Sequence, residues 1–230
     1  MTTLKQKTVL VVGGGSGLGL AVARLARDQG ARVIVASRRA AERLDAAPGG
    51  GDLQALAFDI GAGQGAVQAL FDTVGEIDHL VVAVRPAITP APLAQVDEAE
   101  ARRAFDIKFW GQYRLARAAS ERLRDGGSIV LTSGIAGERI YPGMSTMALI
   151  NGATETLCRM LAVELAPLRV NAVSPGFLAP KPAKVEAAAQ HFPLPRLGAV
   201  EEVAEVYLHL MRSGYATGTV SVVDGGARLL

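Results

Sequence analysis

The sequence predicts an α/β fold built on a doubly wound parallel sheet, and three observations lead there. Short apolar runs alternate with segments of helical periodicity along the chain. The strand-like runs are almost continuously apolar, as strands covered on both faces must be. The first of them feeds through a glycine cluster directly into a helix. Right-handed crossovers then put helices on both faces, in three αβα layers, and leave a ligand crevice at the carboxyl ends of the strands.

Thr8-Val9-Leu10-Val11-Val12 is the first strand. Gly13-Gly14-Gly15-Ser16-Gly17-Leu18-Gly19 follows without a break. Residues 20–29 have helical periodicity and stop at Gly30, and a second strand over 31–36 ends in Ser37-Arg38-Arg39. This is one βαβ unit, and its physics points to a dinucleotide. Gly13, Gly17 and Gly19 let backbone approach a pyrophosphate and let the helix pack closely on the strand, with Gly15, Ser16 and Leu18 completing the turn. A helix starting near Gly17 aims unpaired N–H groups and a positive dipole end at the phosphates. A site for NAD(H) wants a carboxylate at the end of the second strand, and this chain has Ser37, Arg38 and Arg39 there. Arginine pairs with a 2′-phosphate, so NADP(H) is favoured over NAD(H). One of the two arginines can equally open the next helix as a solvated charge.

Residues 40–52 read as a short helix and a Pro48-Gly49-Gly50-Gly51 loop, and 53–58 as a third strand ending in Asp59-Ile60. Asp59 is placed either to accept from an adenine amino group or to cap the next helix, over 64–74. A fourth strand covers 79–84, with Val82 and Ala83 expected near the cofactor, and Pro86, Pro90 and Pro92 mark an irregular loop. A long helix is expected from about 97 to 123, a fifth strand over 128–133, a loop from 134 to 143, and a helix over about 145–165. A sixth strand over 169–173 leads into Ser174-Pro175-Gly176, with Pro175, Gly176 and Leu178 expected against the cofactor. A short helical insert (182–191), a helix (199–212) and a last strand (219–223) before Asp224-Gly225-Gly226 complete the chain.

Half of the 230 residues are hydrophobic, and 24 basic residues nearly balance 22 acidic ones, for a formal charge of +2. That composition fits one domain over 1–230 with a sizeable core. Dispersed charges and few aromatics give nucleic-acid binding little support. The lone Cys158 sits in an apolar helical stretch, cannot form an internal disulfide and offers no metal site, in keeping with a reducing cytoplasm. No apolar run reaches the length of a membrane span, and the triple glycine interrupts the only stretch resembling a leader.

Taken together, Gly13-x-x-x-Gly17-x-Gly19, Asp59, Arg169-Val170-Asn171-x-x-x-Pro175-Gly176 and Asp224-Gly225-Gly226 resemble the short-chain dehydrogenase/reductase family over nearly the full length. The resemblance implies a Rossmann-type sheet of order 3-2-1-4-5-6-7, nicotinamide cofactor binding and a homodimer or homotetramer. It also implies that Arg38, just past the family's acidic position, selects NADPH, and that residues 178–196 form a short insert over a small-molecule substrate. Val12 stands where the family has threonine before the first glycine.

The family's catalytic positions depart further. Alignment puts Met147 at the tyrosine, Asn151 at the lysine, Gly134 at the serine (Ser133 adjacent) and Lys108 at the asparagine, while the Asn-Asn-Ala-Gly stretch reads Val82-Ala83-Val84-Arg85. Carbonyl reduction needs a proton donor beside the hydride donor, and Met147 supplies none. Lysine and asparagine look exchanged between two helices, so Lys108 is expected to enter the crevice near the nicotinamide ribose as a general acid; the alternative is a surface lysine. Asn151 and Ser133 complete the candidate catalytic set, Ser133 either donating to a substrate oxygen or satisfying local backbone. Tyr141 reads as a displaced phenol or a lid aromatic, and His191 as solvated. The leading expectation is an NADPH-dependent oxidoreductase of atypical mechanism. A non-catalytic NADP(H)-binding sensor or partner subunit, and a non-redox enzyme on the same scaffold, are the alternatives.

Overall fold

The structure is a computed structural model that describes residues 3–47, 50 and 52–230. The expected Pro48-Gly49-Gly50-Gly51 loop lies outside the described residues except for Gly50. In chain order the regular elements begin with β1 (Thr8–Val12), α1 (Gly17–Asp28), β2 (Arg32–Ser37), α2 (Ala40–Asp45), β3 (Gln54–Ala57), α3 (Gln64–Val74) and β4 (Ile77–Val82). They continue through α4 (Glu98–Phe105), a π-helical segment (Asp106–Trp110), α5 (Gly111–Ala119), β5 (Leu123–Thr132), α6 (Ser145–Glu164) and β6 (Arg169–Pro175). The series closes with α7 (Ala183–Ala189), α8 (Val200–Arg212) and β7 (Val220–Val223). The strands pair in parallel in the order β3-β2-β1-β4-β5-β6-β7.

Alternation along each strand divides the core between the two faces. Leu10 and Val12 of β1 join Ile34, Leu80, Ile129 and Leu131 under α3, α5 and α6. Val9 and Val11 join Val33, Val35, Val81 and Val130 under α1 and α8. A parallel sheet buried on both sides explains why these runs read as unbroken apolar stretches.

Two expectations are corrected here. The helix expected over 97–123 stops at Ala119, because β5 starts earlier than its apolar run: Leu123 already pairs with Ile77, and the ladder resumes in a shifted register at His79 and Ser128. Gly126, at φ +78°, lets the intervening residues turn. That helix is also not uniformly α. Its middle widens into a π turn over Asp106–Trp110, and the residue carried inward by this turn is Lys108. Single π turns recur where a side chain must be re-aimed.

Candidate active site

A groove of about 1070 Å³ runs across the carboxyl ends of the strands, a generous volume for a ligand site. Its outer half is built by the β1–α1 turn. Gly13 sits at φ +85°, and a Cβ there would lie 2.5 Å from the Ala83 carbonyl oxygen. A Cβ on Gly19 would lie 2.4 Å from the Gly13 carbonyl oxygen, so α1 seats on the turn only because this residue is glycine. Ser16, the N-cap of α1, makes no side-chain capping bond, and no acidic residue occupies the first turn. The helix therefore presents free N–H groups and positive dipole to the groove, a cradle that fits a pyrophosphate.

Gly13, Gly15, Ser16, Gly17 and Leu18 line the groove, as do Ser37, Arg38 and Arg39 at the end of β2. Arg39 pairs with Glu42 at 3.4 Å, so the solvated role falls to it in part. Arg38 has no ion-pair partner among the described residues. Arg43, one helical turn past Arg39, also lines this end and was not singled out from the sequence; its spacing was the available signal. The Asp59 carboxylate accepts from the Gly61 N–H at 2.9 Å and caps the 3-10 turn Ile60–Ala62 rather than α3, while Asp59 and Ile60 both face the groove.

Two residues expected at the cofactor are placed elsewhere. Val82 points into the core, and its carbonyl accepts from the Thr132 hydroxyl at 2.6 Å; Ala83 and Val84 line the groove just past it. Gly19 lies beneath the turn and acts on the groove through packing. Both shifts follow from β4 ending at Val82 and α1 beginning at Gly17. Pro175, Gly176 and Leu178 line the groove as expected.

The inner half is organised around Lys108, only 4% exposed. Its ammonium donates to the Asn151 Oδ1 at 2.7 Å and to the Ser133 carbonyl at 2.9 Å. The exchanged lysine and asparagine thus meet from α6 and the facing π turn, and Lys108 is not a surface residue. Asn151 is held in turn by its surroundings: a Cβ on Gly134 would lie 3.0 Å from Asn151 Nδ2, so glycine at 134 leaves room for the amide. Ser133 stands at the end of β5 as expected, but its hydroxyl donates to Glu155 Oε1 at 3.0 Å. That proton is committed, so the expectation that Ser133 donates to a substrate oxygen is corrected; its carbonyl is the part that serves the site.

Gln112, unremarked in the sequence, anchors the π turn. Its amide nitrogen donates to the Lys108 carbonyl at 2.8 Å and its oxygen accepts from the Thr132 N–H at 2.9 Å. The signal for it was its position one helical turn after Lys108.

Burial first, and the charge of Arg85 second, push the Lys108 ammonium down to about 7, against a smaller opposing pull from Glu155. Burial raises the Glu155 carboxyl above its ordinary value. An ammonium has three protons to donate, and Asn151 and Ser133 take two, leaving one for the groove that Lys108 lines. Met147, 9% exposed, shares the inner wall with Met144, Tyr141 and Phe177. His191 is exposed, as expected. Burial raises the Cys158 thiol to about 12, which makes it an inert core residue. Among the described residues no group of three or more metal-ligating side chains exists, and no helix is long and apolar enough to cross a membrane.

Residues 13–228 match the family described as enoyl-(acyl carrier protein) reductase. The short-chain dehydrogenase/reductase ucsE of Acremonium sp is 32% identical over 97% of this chain and 96% of that protein. A crystal structure of a small-chain dehydrogenase in complex with NADPH superposes with a TM-score of 0.86 at 33% identity, covering 98% of this chain and 100% of that one. The MalC reductase/Diels-Alderase of Malbranchea aurantiaca superposes with a TM-score of 0.88 at 30% identity, covering 99% and 97%. With its sheet order, its glycine turn and these full-length matches, the chain belongs to the short-chain dehydrogenase/reductase family.

Proposed function

We propose that this chain is an NADPH-dependent oxidoreductase of atypical mechanism, a family member without the Ser-Tyr-Lys-Asn catalytic residues, acting on a small organic substrate. The observation that carries this reading is the buried Lys108–Asn151 pair beside Met147, at the inner end of a groove whose outer end bears a glycine cradle and arginines. Arg38 and Arg43 hold a 2′-phosphate, Gly13–Gly17 and the start of α1 hold the pyrophosphate, and Pro175, Gly176 and Leu178 close over the nicotinamide half. When bound, the nicotinamide supplies hydride. Lys108 supplies the proton that a tyrosine would otherwise bring and the positive charge that a lysine would, from the opposite wall of the crevice. Asn151 orients it, and the surrounding apolar wall keeps the ammonium poorly solvated and its proton acidic.

Such a site suits substrates that need less acid assistance than a ketone: an activated alkene, an iminium or a quinone-like ring. A second reading, a non-redox enzyme on the same scaffold, draws support from the relative whose name joins reductase and Diels-Alderase. Self-association into a homodimer or homotetramer fits the exposed Leu149, Met160 and Val163 along α6 and the half-exposed Trp110.

Purified protein incubated with NADPH and a panel of ketones, enones, imines and quinones tests the proposal. Substrate-dependent loss of the NADPH absorbance, confined to the enone, imine or quinone arms, is expected. Tight NADPH binding with no oxidation in any arm contradicts it and favours a sensor. Product formed without net NADPH change favours the non-redox enzyme.

A further inference from the structure

The groove carries a second cluster of positive charge, remote from the arginines at the end of β2. Arg85 follows β4, Lys181 follows β6, and β5 lies between those strands in the sheet, so the two cations flank the end of β5 where Ser133 and Lys108 sit. Neither Arg85 nor Lys181 makes a hydrogen bond or ion pair among the described residues. Asp59, at the far end of the sheet after β3, is the only carboxylate among the described residues lining the groove. Arg85 also lowers the pKa of Lys181, after burial, and that of Lys108, as expected of like charges converging on one space. Unneutralised cations around a partly enclosed cavity make it attractive to an anion.

The wall between them is apolar and holds one idle polar atom. The Tyr141 hydroxyl is buried without a hydrogen-bond partner among the described residues, while the Tyr141 ring stands edge-on to Phe177 at 5.6 Å. Phe177 in turn stacks on Phe192 at 5.6 Å, and Met144 and Met147 complete the floor. A buried hydroxyl left unsatisfied is costly, and a ligand oxygen at this place would satisfy it.

We propose that the substrate is a planar organic acid, its carboxylate held between Arg85 and Lys181, its apolar body against Phe177, Met144 and Met147, and an acceptor oxygen on that body receiving the Tyr141 hydroxyl. This rests on the cofactor reading above and extends it to the substrate class.

The test uses NADPH-saturated protein and two matched probe pairs, chromone-2-carboxylate with chromone-2-carboxamide and trans-cinnamate with cinnamamide, titrated by calorimetry. Each acid is expected to bind at least about tenfold more tightly than its amide, the value of one charge-assisted hydrogen bond. Arg85→Ala and Lys181→Ala should each remove about tenfold from the acids and leave the amides and NADPH within about twofold. Tyr141→Phe should weaken both chromones, which carry a ring ketone, and spare both cinnamoyl probes. Equal binding of acids and amides, or no binding by any probe while NADPH still binds, overturns the inference and leaves the cofactor reading standing. A fall in NADPH affinity in Arg85→Ala or Lys181→Ala assigns these cations to the cofactor and likewise overturns it. Failure of the wild-type protein to bind NADPH removes the reading underneath.

Discussion

Lys108→Met lowers NADPH-dependent turnover by about 10²–10⁴-fold, the range that a positioned general acid contributes. Methionine fills similar space without a proton to give, so the fold should survive while the chemistry does not. The pH dependence carries the same signature. With its ammonium near 7, free Lys108 loses its proton as pH rises through neutrality, so kcat/KM falls above about 7 in the wild type. The variant should lack that limb. Stability should change in the opposite sense. The folded value of about 7 lies below the ordinary value of 10.5, so between them the unfolded chain binds a proton that the folded chain has released. Stability is therefore penalised in full below pH 7 and recovers as pH rises through that window. Urea midpoints at pH 6 and pH 9, in wild type and Lys108→Met, read this difference directly. Unchanged turnover and an unchanged pH profile in the variant would remove Lys108 from the site.

Arg38→Ala weakens NADPH by about 10- to 100-fold while altering NADH by less than about twofold, because a charge-assisted arginine–phosphate contact is worth ~1.5–3 kcal/mol. Arg38 is exposed, which places the expectation toward the lower end of that range. Arg43→Ala should act in the same direction, whereas Arg39→Ala should do less, since Arg39 already has Glu42 as partner. Fluorescence titration of each variant with both cofactors measures the ratio. Equal losses for NADPH and NADH would show that these arginines do not read a 2′-phosphate.

What could be read from the sequence divides along a physical line. Contiguous signals were legible: the apolar strands, the glycine turn and Ser37-Arg38-Arg39 each lie within a short window whose chemistry is local. So was the position of Lys108, because an exchanged lysine and asparagine show up once two helices are set side by side. The π turn that carries Lys108 inward was not legible, since Phe105, Phe109 and Tyr113 keep an ordinary helical spacing through it. The early start of β5 at Leu123 was hidden for a related reason: Arg124, Asp125, Gly126 and Gly127 carry no strand pattern, and they separate the Leu123–Ile77 pair from the ladder that resumes at Ser128. The Ser133–Glu155 bond and the bond from the Thr132 N–H to Gln112 join residues about twenty positions apart. Nothing in either local stretch announces them.

A crystal structure of the protein with NADPH bound tests the central claim most directly. The 2′-phosphate is expected at Arg38, the pyrophosphate over Gly13–Gly17 and the amino end of α1, and the nicotinamide ring beside the Lys108 ammonium with Asn151 still holding it. A 2′-phosphate facing solvent, or a nicotinamide ring lying away from Lys108 with the ammonium shielded behind it, would contradict the claim.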